Sequence, residues 1–83
     1  MIHRSSEKIY FDMLTIMKKG SNRTHVMYLA KLTYRQLKEY LRDLQSYKWI
    51  ELIDNVKIPT YKPTKSGERF MSLYEEIIQL KNQ

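Results

Sequence analysis

Hydrophobic residues recur every three or four positions in four stretches of the chain, and two short extended runs separate the third stretch from the fourth. The first stretch predicts a helix that begins at Ser5 or Ser6, whose side chains can accept a hydrogen bond from a free amide, and that ends at Gly20. Its apolar face consists of Ile9, Tyr10, Met13, Leu14, Ile16 and Met17. This breadth is typical of a helix that packs against a core.

A short helix and a longer one follow, joined by a tight turn. The short helix is predicted at residues 25–31, with Thr24 as its N-cap and a polar loop, 21–23, before it. Its apolar members are Val26, Met27, Leu29 and Ala30. Thr33 has the properties of an N-cap for the longer helix, which is predicted to span residues 34–47. The apolar face of the longer helix consists of Leu37, Tyr40, Leu41 and Leu44.

Two extended runs come next. Residues 49–53 have the composition of a strand, Asp54 and Asn55 can form a turn, and residues 57–63 can form a second strand. Pro59 has no amide hydrogen to donate, so the second run is expected at a sheet edge. The two runs therefore predict a small β-hairpin.

Thr64 is predicted to cap a final helix, at about residues 64–82, whose apolar side chains follow the spacing of a coiled-coil seam. The seam consists of Phe70, Leu73, Ile77 and Leu80, and Met71, Tyr74 and Ile78 widen the stripe. The residues expected at a dimer interface are Phe70, Leu73, Tyr74, Ile77, Ile78 and Leu80. Phe70 and Leu73 are expected to pack on the domain, whereas the later members have little left to cover them. The stripe therefore favours pairing with a second copy, and the protein is expected to be a homodimer.

Together these elements predict an α+β fold that is mostly helical. Three helices, a small β-hairpin wing and a C-terminal helix form a winged helix-turn-helix. The 83 residues are expected to form a single domain, 1–83. Such a domain buries only about 60% of the surface that its unfolded chain exposes. A partner subunit is therefore expected to cover some of its apolar surface.

Charge and composition narrow the possible partners. The formal net charge is +6, which favours a polyanion: nucleic acid or an anionic membrane surface. No apolar run approaches the roughly 20 residues of a membrane span, so the protein is expected to be cytoplasmic and no membrane partner is predicted. The absence of cysteine excludes disulfides and thiolate ligands, and it agrees with a reducing interior.

Catalytic chemistry has little support. The two histidines, His3 and His25, have no Asp or Glu at metal-ligand spacing, and no glycine-rich phosphate loop is present. No catalytic residue, metal, cofactor or small-molecule ligand is therefore predicted. The aromatic residues Tyr10, Tyr28, Tyr40 and Trp49 are expected to lie in the core or at its rim.

The second helix of a helix-turn-helix lies in the major groove of double-stranded DNA, and long cationic side chains can reach phosphates and base edges there. The residues predicted to bind DNA from this helix are Thr33, Tyr34, Arg35, Gln36, Lys38 and Arg42. Arg23 and His25 can approach a phosphate from the short helix, and Lys57 can do so from the hairpin. The alternative is an ordinary solvated face on which Glu39 and Asp43 pair with the cations.

Residues 27–52 resemble the core of small archaeal winged-helix DNA-binding proteins and regulators, which commonly read Y-x-A-x-L-[ST]-Y-x-x-L-x-x-Y-L-x-x-L. The matching residues are Tyr28, Ala30, Leu32, Thr33, Tyr34, Leu37, Tyr40, Leu41 and Leu44. The segment after the hairpin is similar to the family's Y-x-x-T-x-x-G-x-x-x-L, through Tyr61, Thr64, Gly67 and Met71. The resemblance implies DNA binding by the recognition helix and dimerisation by the last helix. The family usually has glycine before the first wing strand, where this chain has Lys48.

The sequence therefore favours a homodimeric, sequence-specific DNA-binding protein that acts as a transcriptional regulator. Two alternatives stay open. One is an architectural protein that coats DNA without sequence preference. The other is a protein–protein docking module, which would require an apolar outward face on the recognition helix.

Overall fold

The computed structural model describes residues 4–82, so His3 lies outside the described residues. The helices are α1 (Ser6–Met17), α2 (Arg23–Leu29), α3 (Tyr34–Ser46) and α4 (Lys65–Lys81), and the strands are β1 (Ile50–Ile53) and β2 (Thr60–Pro63). The two strands form one antiparallel sheet. The predicted α+β winged helix-turn-helix, with three helices, a hairpin and a C-terminal helix, is confirmed.

The core lies where α1 packs against the other helices and the hairpin. The buried apolar residues are Ile9, Tyr10, Met13, Leu14, Met17, Val26, Ala30, Leu32, Leu37, Leu41, Leu44, Ile50, Tyr61 and Met71. The predicted apolar faces of α1 and α3 are therefore confirmed, with Ile16 and Tyr40 half-buried at their edges. Ser5 caps α1 and accepts a hydrogen bond from the amide of Lys8.

The second helix departs from its prediction at its start and on its apolar face. Its N-cap is Asn22, two residues before Thr24, and the Asn22 Oδ1 atom accepts a 2.9 Å hydrogen bond from the amide of His25. Val26 is buried but Leu29 is exposed, because a helix of only seven residues meets the core along a narrow strip. The predicted cap at Thr24 is therefore wrong, and Leu29, an apolar member of the predicted helix, lies in solvent.

The segment before α2, expected to be a polar loop, joins the sheet. Ser21 is buried and exchanges two backbone hydrogen bonds with Tyr61, of 3.2 and 2.8 Å. Its hydroxyl donates to the carbonyl of Ile16 at 3.0 Å. These bonds connect the end of α1 to the hairpin. The sequence could not predict this contact, because a single bridging residue leaves no periodic pattern.

The hairpin has shorter strands and a longer connection than the sequence predicts. Ile50 lies opposite Pro63, and Ile53 lies opposite Thr60 at the other end of the ladder. Residues 54–59 form the loop between the strands, in place of a two-residue turn. The proline in this loop lies directly before β2, where its missing amide removes no ladder bond.

The residue that follows the C-cap of α3 has a left-handed backbone conformation. Glycine adopts this conformation most easily, but this chain has a lysine there. Lys48 has φ 60°, and the amide of Trp49 reaches back to the carbonyl of Leu44 at 3.0 Å. This 6→1 bond is the mark of a Schellman motif. Lys31 has φ 57° at the end of α2. Each such conformation costs a non-glycine residue about 1–2 kcal/mol.

The first turn of α4 docks directly on this helix end. The amide of Thr64 donates to the carbonyl of Trp49 at 2.9 Å, and its hydroxyl donates to the carbonyl of Lys48 at 2.6 Å. The same hydroxyl accepts from the amide of Gly67 at 3.2 Å, which caps α4. A β-carbon on Gly67 would lie 2.1 Å from the Trp49 carbonyl oxygen, so only glycine fits there.

An aromatic cluster packs beside this junction. The rings of Trp49 and Phe70 are stacked with centroids 4.3 Å apart, and the buried Tyr10 meets Trp49 edge-on at 6.0 Å. Trp49 and Tyr10 thus pack on the core, as the sequence predicts. The Tyr10 hydroxyl donates to Asp43 at 2.8 Å. Burial, together with this hydrogen bond, raises the pKa of Tyr10 above its usual range.

We expect Gly67→Ala to lower the free energy of unfolding by about 2–4 kcal/mol, because the new methyl group would force α4 away from the Trp49 carbonyl and weaken the Thr64 bonds. Urea denaturation measures the loss. Ser66→Ala is the matched control, since Ser66 is exposed in the same turn and its loss should stay within about 0.5 kcal/mol. Equal stability of the two variants would refute the steric constraint at Gly67.

Candidate nucleic-acid interface

The outward face of α3 carries three exposed cations, Arg35, Lys38 and Arg42. They lie opposite the buried leucines of the same helix, so core packing fixes the direction in which they point. Together with Tyr34 and Glu39 they line a shallow hollow of about 310 Å³. The Lys38 ammonium lies 5.5 Å from the centre of the Tyr34 ring, within cation–π range.

These cations have no acidic partner in the described part of the chain. Between residues 4 and 82, ion pairs shorter than 4 Å join only Asp12, to Arg4 at 3.0 Å and to Lys8 at 2.9 Å. Asp43, which also lies on α3, accepts a hydrogen bond from the Tyr10 hydroxyl and forms no ion pair with the cations of that helix. The ion pairs that an ordinary solvated face would form with Glu39 and Asp43 are therefore not found, and the three cations are available to an external anion.

The first turn of α3 is held by a reciprocal capping box. The Thr33 hydroxyl accepts from the amide of Gln36 at 3.1 Å, and the Gln36 side-chain oxygen accepts from the amide of Thr33 at 2.9 Å. Thr33 is thus the N-cap that the sequence predicts. The side-chain oxygen of Gln36 is engaged in this box, which leaves its NH2 group to meet a ligand.

The other predicted contact residues lie apart from the hollow on α3. Arg23 and His25 are exposed in the first turn of α2, and Lys57 is exposed in the loop 54–59. Arg23 and His25 open into a cleft between α2 and the hairpin, which has a volume of about 740 Å³. Its lining is Asn22, Arg23, Thr24, His25, Tyr28, Leu52, Ile58, Pro59 and Tyr61. The predicted residues therefore fall into separate groups on three elements.

The apolar walls of this cleft were not predicted. Tyr28 is 73% exposed, so its expected place at the core rim is wrong. Leu52 lies opposite Tyr61 on one face of the hairpin, yet Leu52 is exposed while Tyr61 is buried. The sequence signal for this surface is the presence of β-branched residues in the loop, where turn residues are usual.

Helix α4 leaves much of its apolar stripe in water. Leu73 and Ile77 are each 47% exposed and Leu80 is 70% exposed. Leu73 therefore does not pack on the domain as expected, whereas Phe70 does. A groove of about 640 Å³ runs beside the stripe toward the start of α1. Its lining is Ser5, Glu7, Phe70, Leu73, Tyr74, Ile77, Ile78, Lys81 and Asn82.

None of the helices formed by residues 4–82 is long and apolar enough to cross a lipid bilayer. No three or more His, Asp or Glu side chains among residues 4–82 lie close enough together to hold a metal ion.

Along the chain, a short helix is followed by a longer cationic helix and then by an exposed hairpin. This order of elements defines a winged helix-turn-helix protein. The chain belongs to the winged helix-turn-helix family, whose model matches residues 3–82. The family resemblance that the sequence indicates is thereby confirmed. Among curated proteins, none matches the sequence.

Solved structures share the fold. Sso10a-2, a DNA-binding protein from Sulfolobus solfataricus, is similar with a TM-score of 0.83 and 24% identity, over 95% of this chain and 83% of that one. MepR, a transcription regulator of the Staphylococcus aureus multidrug efflux pump MepA, has a TM-score of 0.79 and 17% identity, over 99% of this chain. The present chain spans 62% of the MepR chain. At these identities the likeness concerns the fold.

The capping box generates a prediction about stability. We expect Gln36→Ala to lower the free energy of unfolding by about 0.5–1 kcal/mol, because the amide of Thr33 loses its acceptor. Gln36→Glu retains an acceptor oxygen and places negative charge at the helix N-terminus, so its stability should equal or exceed that of the parent. Urea denaturation of both variants is the measurement. A loss of the same size in both would contradict the capping role of Gln36.

Proposed function

We propose that this protein binds double-stranded DNA as a homodimer, places α3 in the major groove and acts as a sequence-specific transcriptional regulator. The observation that carries the proposal is the trio Arg35, Lys38 and Arg42, exposed on one face of α3 and without acidic partners between residues 4 and 82. A guanidinium can bind a guanine edge through two hydrogen bonds, and an ammonium can bind phosphate or guanine. The proposal includes no catalytic role.

The remaining contacts follow from the position of α3. Tyr34, Thr33 and the NH2 group of Gln36 lie in its first turn, which enters the groove first. Arg23 and His25 on α2, and Lys57 on the hairpin loop, flank α3 in the chain and supply positive charge for phosphates on either side. A net charge of +6 supports this arrangement, since phosphate neutralisation provides much of the affinity of such proteins.

The dimer is proposed to form through α4, within a single domain of residues 1–83 whose dimerisation helix spans about 64–82. Leu73, Ile77 and Leu80 are exposed at spacings of four and three, which is the spacing of a helix-pairing seam. Phe70, Tyr74 and Ile78 are half-buried beside them and would complete the interface. A two-fold dimer would present two α3 helices to paired half-sites.

The solved structures agree with this function. Sso10a-2 is described as a DNA-binding protein and MepR as a transcription regulator. Their fold resembles that of this chain, which supports duplex DNA as the ligand. The docking-module alternative lacks its required feature, because the outward face of α3 is cationic and not apolar.

We expect Arg35→Ala combined with Arg42→Ala to remove most of the specific affinity for DNA, because each bidentate contact to a guanine discriminates by about 1–3 kcal/mol. Helicity should be unchanged, since both side chains are exposed. Fluorescence anisotropy with labelled duplex measures the affinity, and circular dichroism measures the helicity. The charge-matched control is Lys65→Ala combined with Arg69→Ala on α4, also exposed. Equal affinities of the two double variants would refute the assignment of α3.

The same titration separates a regulator from an architectural protein. Unlabelled duplexes of unrelated sequence compete with a selected binding site, and a regulator should prefer its site by a factor of at least about 10³. Equal competition by all duplexes would favour the architectural alternative. In either case, log affinity should fall linearly with log salt concentration, with a slope of about −0.9 for each phosphate contacted.

We expect Leu73→Glu combined with Ile77→Glu to convert the dimer into a monomer, because two like charges on each helix would meet across the two-fold axis and lose their hydration. Analytical ultracentrifugation measures the mass. Gln79→Glu, an exposed polar position on the same helix, is the control and should leave the dimer intact. A parent protein that sediments as a monomer at micromolar concentration would refute the proposed interface.

A further inference from the structure

The loop of the hairpin exposes apolar side chains that its own domain does not cover. Val56 is 49% exposed and Ile58 is 57% exposed, on either side of Lys57. Solvent-facing loops between strands are ordinarily made of Gly, Asn, Asp, Ser and Pro, which satisfy the turn geometry and remain hydrated. Two β-branched side chains at this position gain little hydrophobic stabilisation from their own domain, whereas a partner that removed them from water would supply it.

The loop is also open to solvent along its whole length. All residues of 54–59 are exposed, and the last ladder pair of the hairpin is Ile53 with Thr60. Behind the loop, Ile58 and Leu52 line the cleft of about 740 Å³ that separates the hairpin from α2. Within residues 4–82 this cleft is open, so Ile58 is not covered on that side.

The charge of the loop shows how it can meet DNA. Lys57 is its sole cation and Asp54 lies at its start, so the loop itself is electrically neutral. A loop that followed the phosphate backbone would need several cations to neutralise it. Two apolar side chains with one cation between them suit a different contact with DNA. The side chains of Val56 and Ile58 can enter between bases while the ammonium group of Lys57 stays at the adjacent phosphate.

We propose that Val56 and Ile58 form an apolar wedge that inserts into the minor groove, unstacks one base step and bends the DNA. This inference rests on the proposed function, since the duplex that α3 holds would bring the groove to the hairpin loop. Ile, Leu, Phe, Met and Pro side chains act in this way in proteins that bend DNA by roughly 20–90°. The wedge should prefer pyrimidine–purine steps such as TA, which unstack most easily.

The experiment uses the full chain and a duplex of about 30 bp, well below the persistence length of DNA, with a donor and an acceptor dye at its ends. One copy carries a single central TA step with 2-aminopurine beside it, and a second copy has an A-tract instead. The parent should raise energy transfer and the 2-aminopurine fluorescence on the TA duplex, and do both less on the A-tract.

Two variants separate insertion from mere contact. Val56→Ser combined with Ile58→Ser should keep DNA binding but lose both signals, because the polar side chains cannot replace base stacking. Val56→Ile combined with Ile58→Val keeps the apolar surface and should retain both signals. Both changed positions, Val56 and Ile58, are exposed loop residues, so the thermal midpoints of the variants should agree with that of the parent within about 3 °C.

The outcomes are distinct. Binding by the parent without bending, or equal bending by the serine variant, overturns the wedge and leaves the proposed function standing. Absence of binding by parent and variants alike overturns both. A serine variant that bends DNA normally but changes its sedimentation would overturn the wedge in favour of a protein contact at the loop. Loss of the two signals in the serine variant alone, with binding retained, establishes the wedge.

Discussion

The contact on which the structure depends is the docking of the first turn of α4 on the end of α3. Two hydrogen bonds from Thr64 reach the carbonyls of Lys48 and Trp49, and the absence of a side chain on Gly67 permits the approach. These groups belong to segments far apart in the chain, so their contact closes the domain. Lys48 holds a left-handed conformation to place its carbonyl there, at a cost that the surrounding bonds offset.

This junction links the surfaces proposed to act in binding. The helix that ends at Ser46 carries the cations, the strand that begins at Ile50 leads to the hairpin loop, and the helix that begins at Lys65 carries the apolar seam. The stacked rings of Trp49 and Phe70 pack beside the same region. A bound duplex and a dimer partner would therefore act on elements that meet at one junction.

A chain of this size cannot bury all its apolar side chains, and it does not expose them at random. One exposed set lies along α4 and the other lies on the hairpin and α2. The first has the spacing of helix pairing, and the second lies beside cations and is proposed to meet DNA. Exposed apolar surface of this kind usually marks an interaction site.

Local rules in the sequence determined the elements of this protein. Helical periodicity located α1, α3 and α4, and threonines at 33 and 64 marked two helix starts, because caps and amphipathic faces depend on near neighbours in the chain. Periodicity also put the cations of α3 opposite its leucines, so the candidate face of that helix could be predicted. The lysine in place of the usual glycine before β1 left open how α3 ends, and the structure shows Lys48 itself in the left-handed conformation.

Only the tertiary structure decided how far each element is covered. The bridge at Ser21, the exposure of Tyr28 and Leu73 and the cleft beside the hairpin depend on where neighbouring elements end, and residues distant in sequence set those distances. Likewise, the carboxylate of Asp43 accepts a hydrogen bond from Tyr10, 33 residues earlier in the chain, and periodicity does not predict that contact. Periodicity predicts the direction in which a side chain points, but tertiary packing determines which groups it contacts.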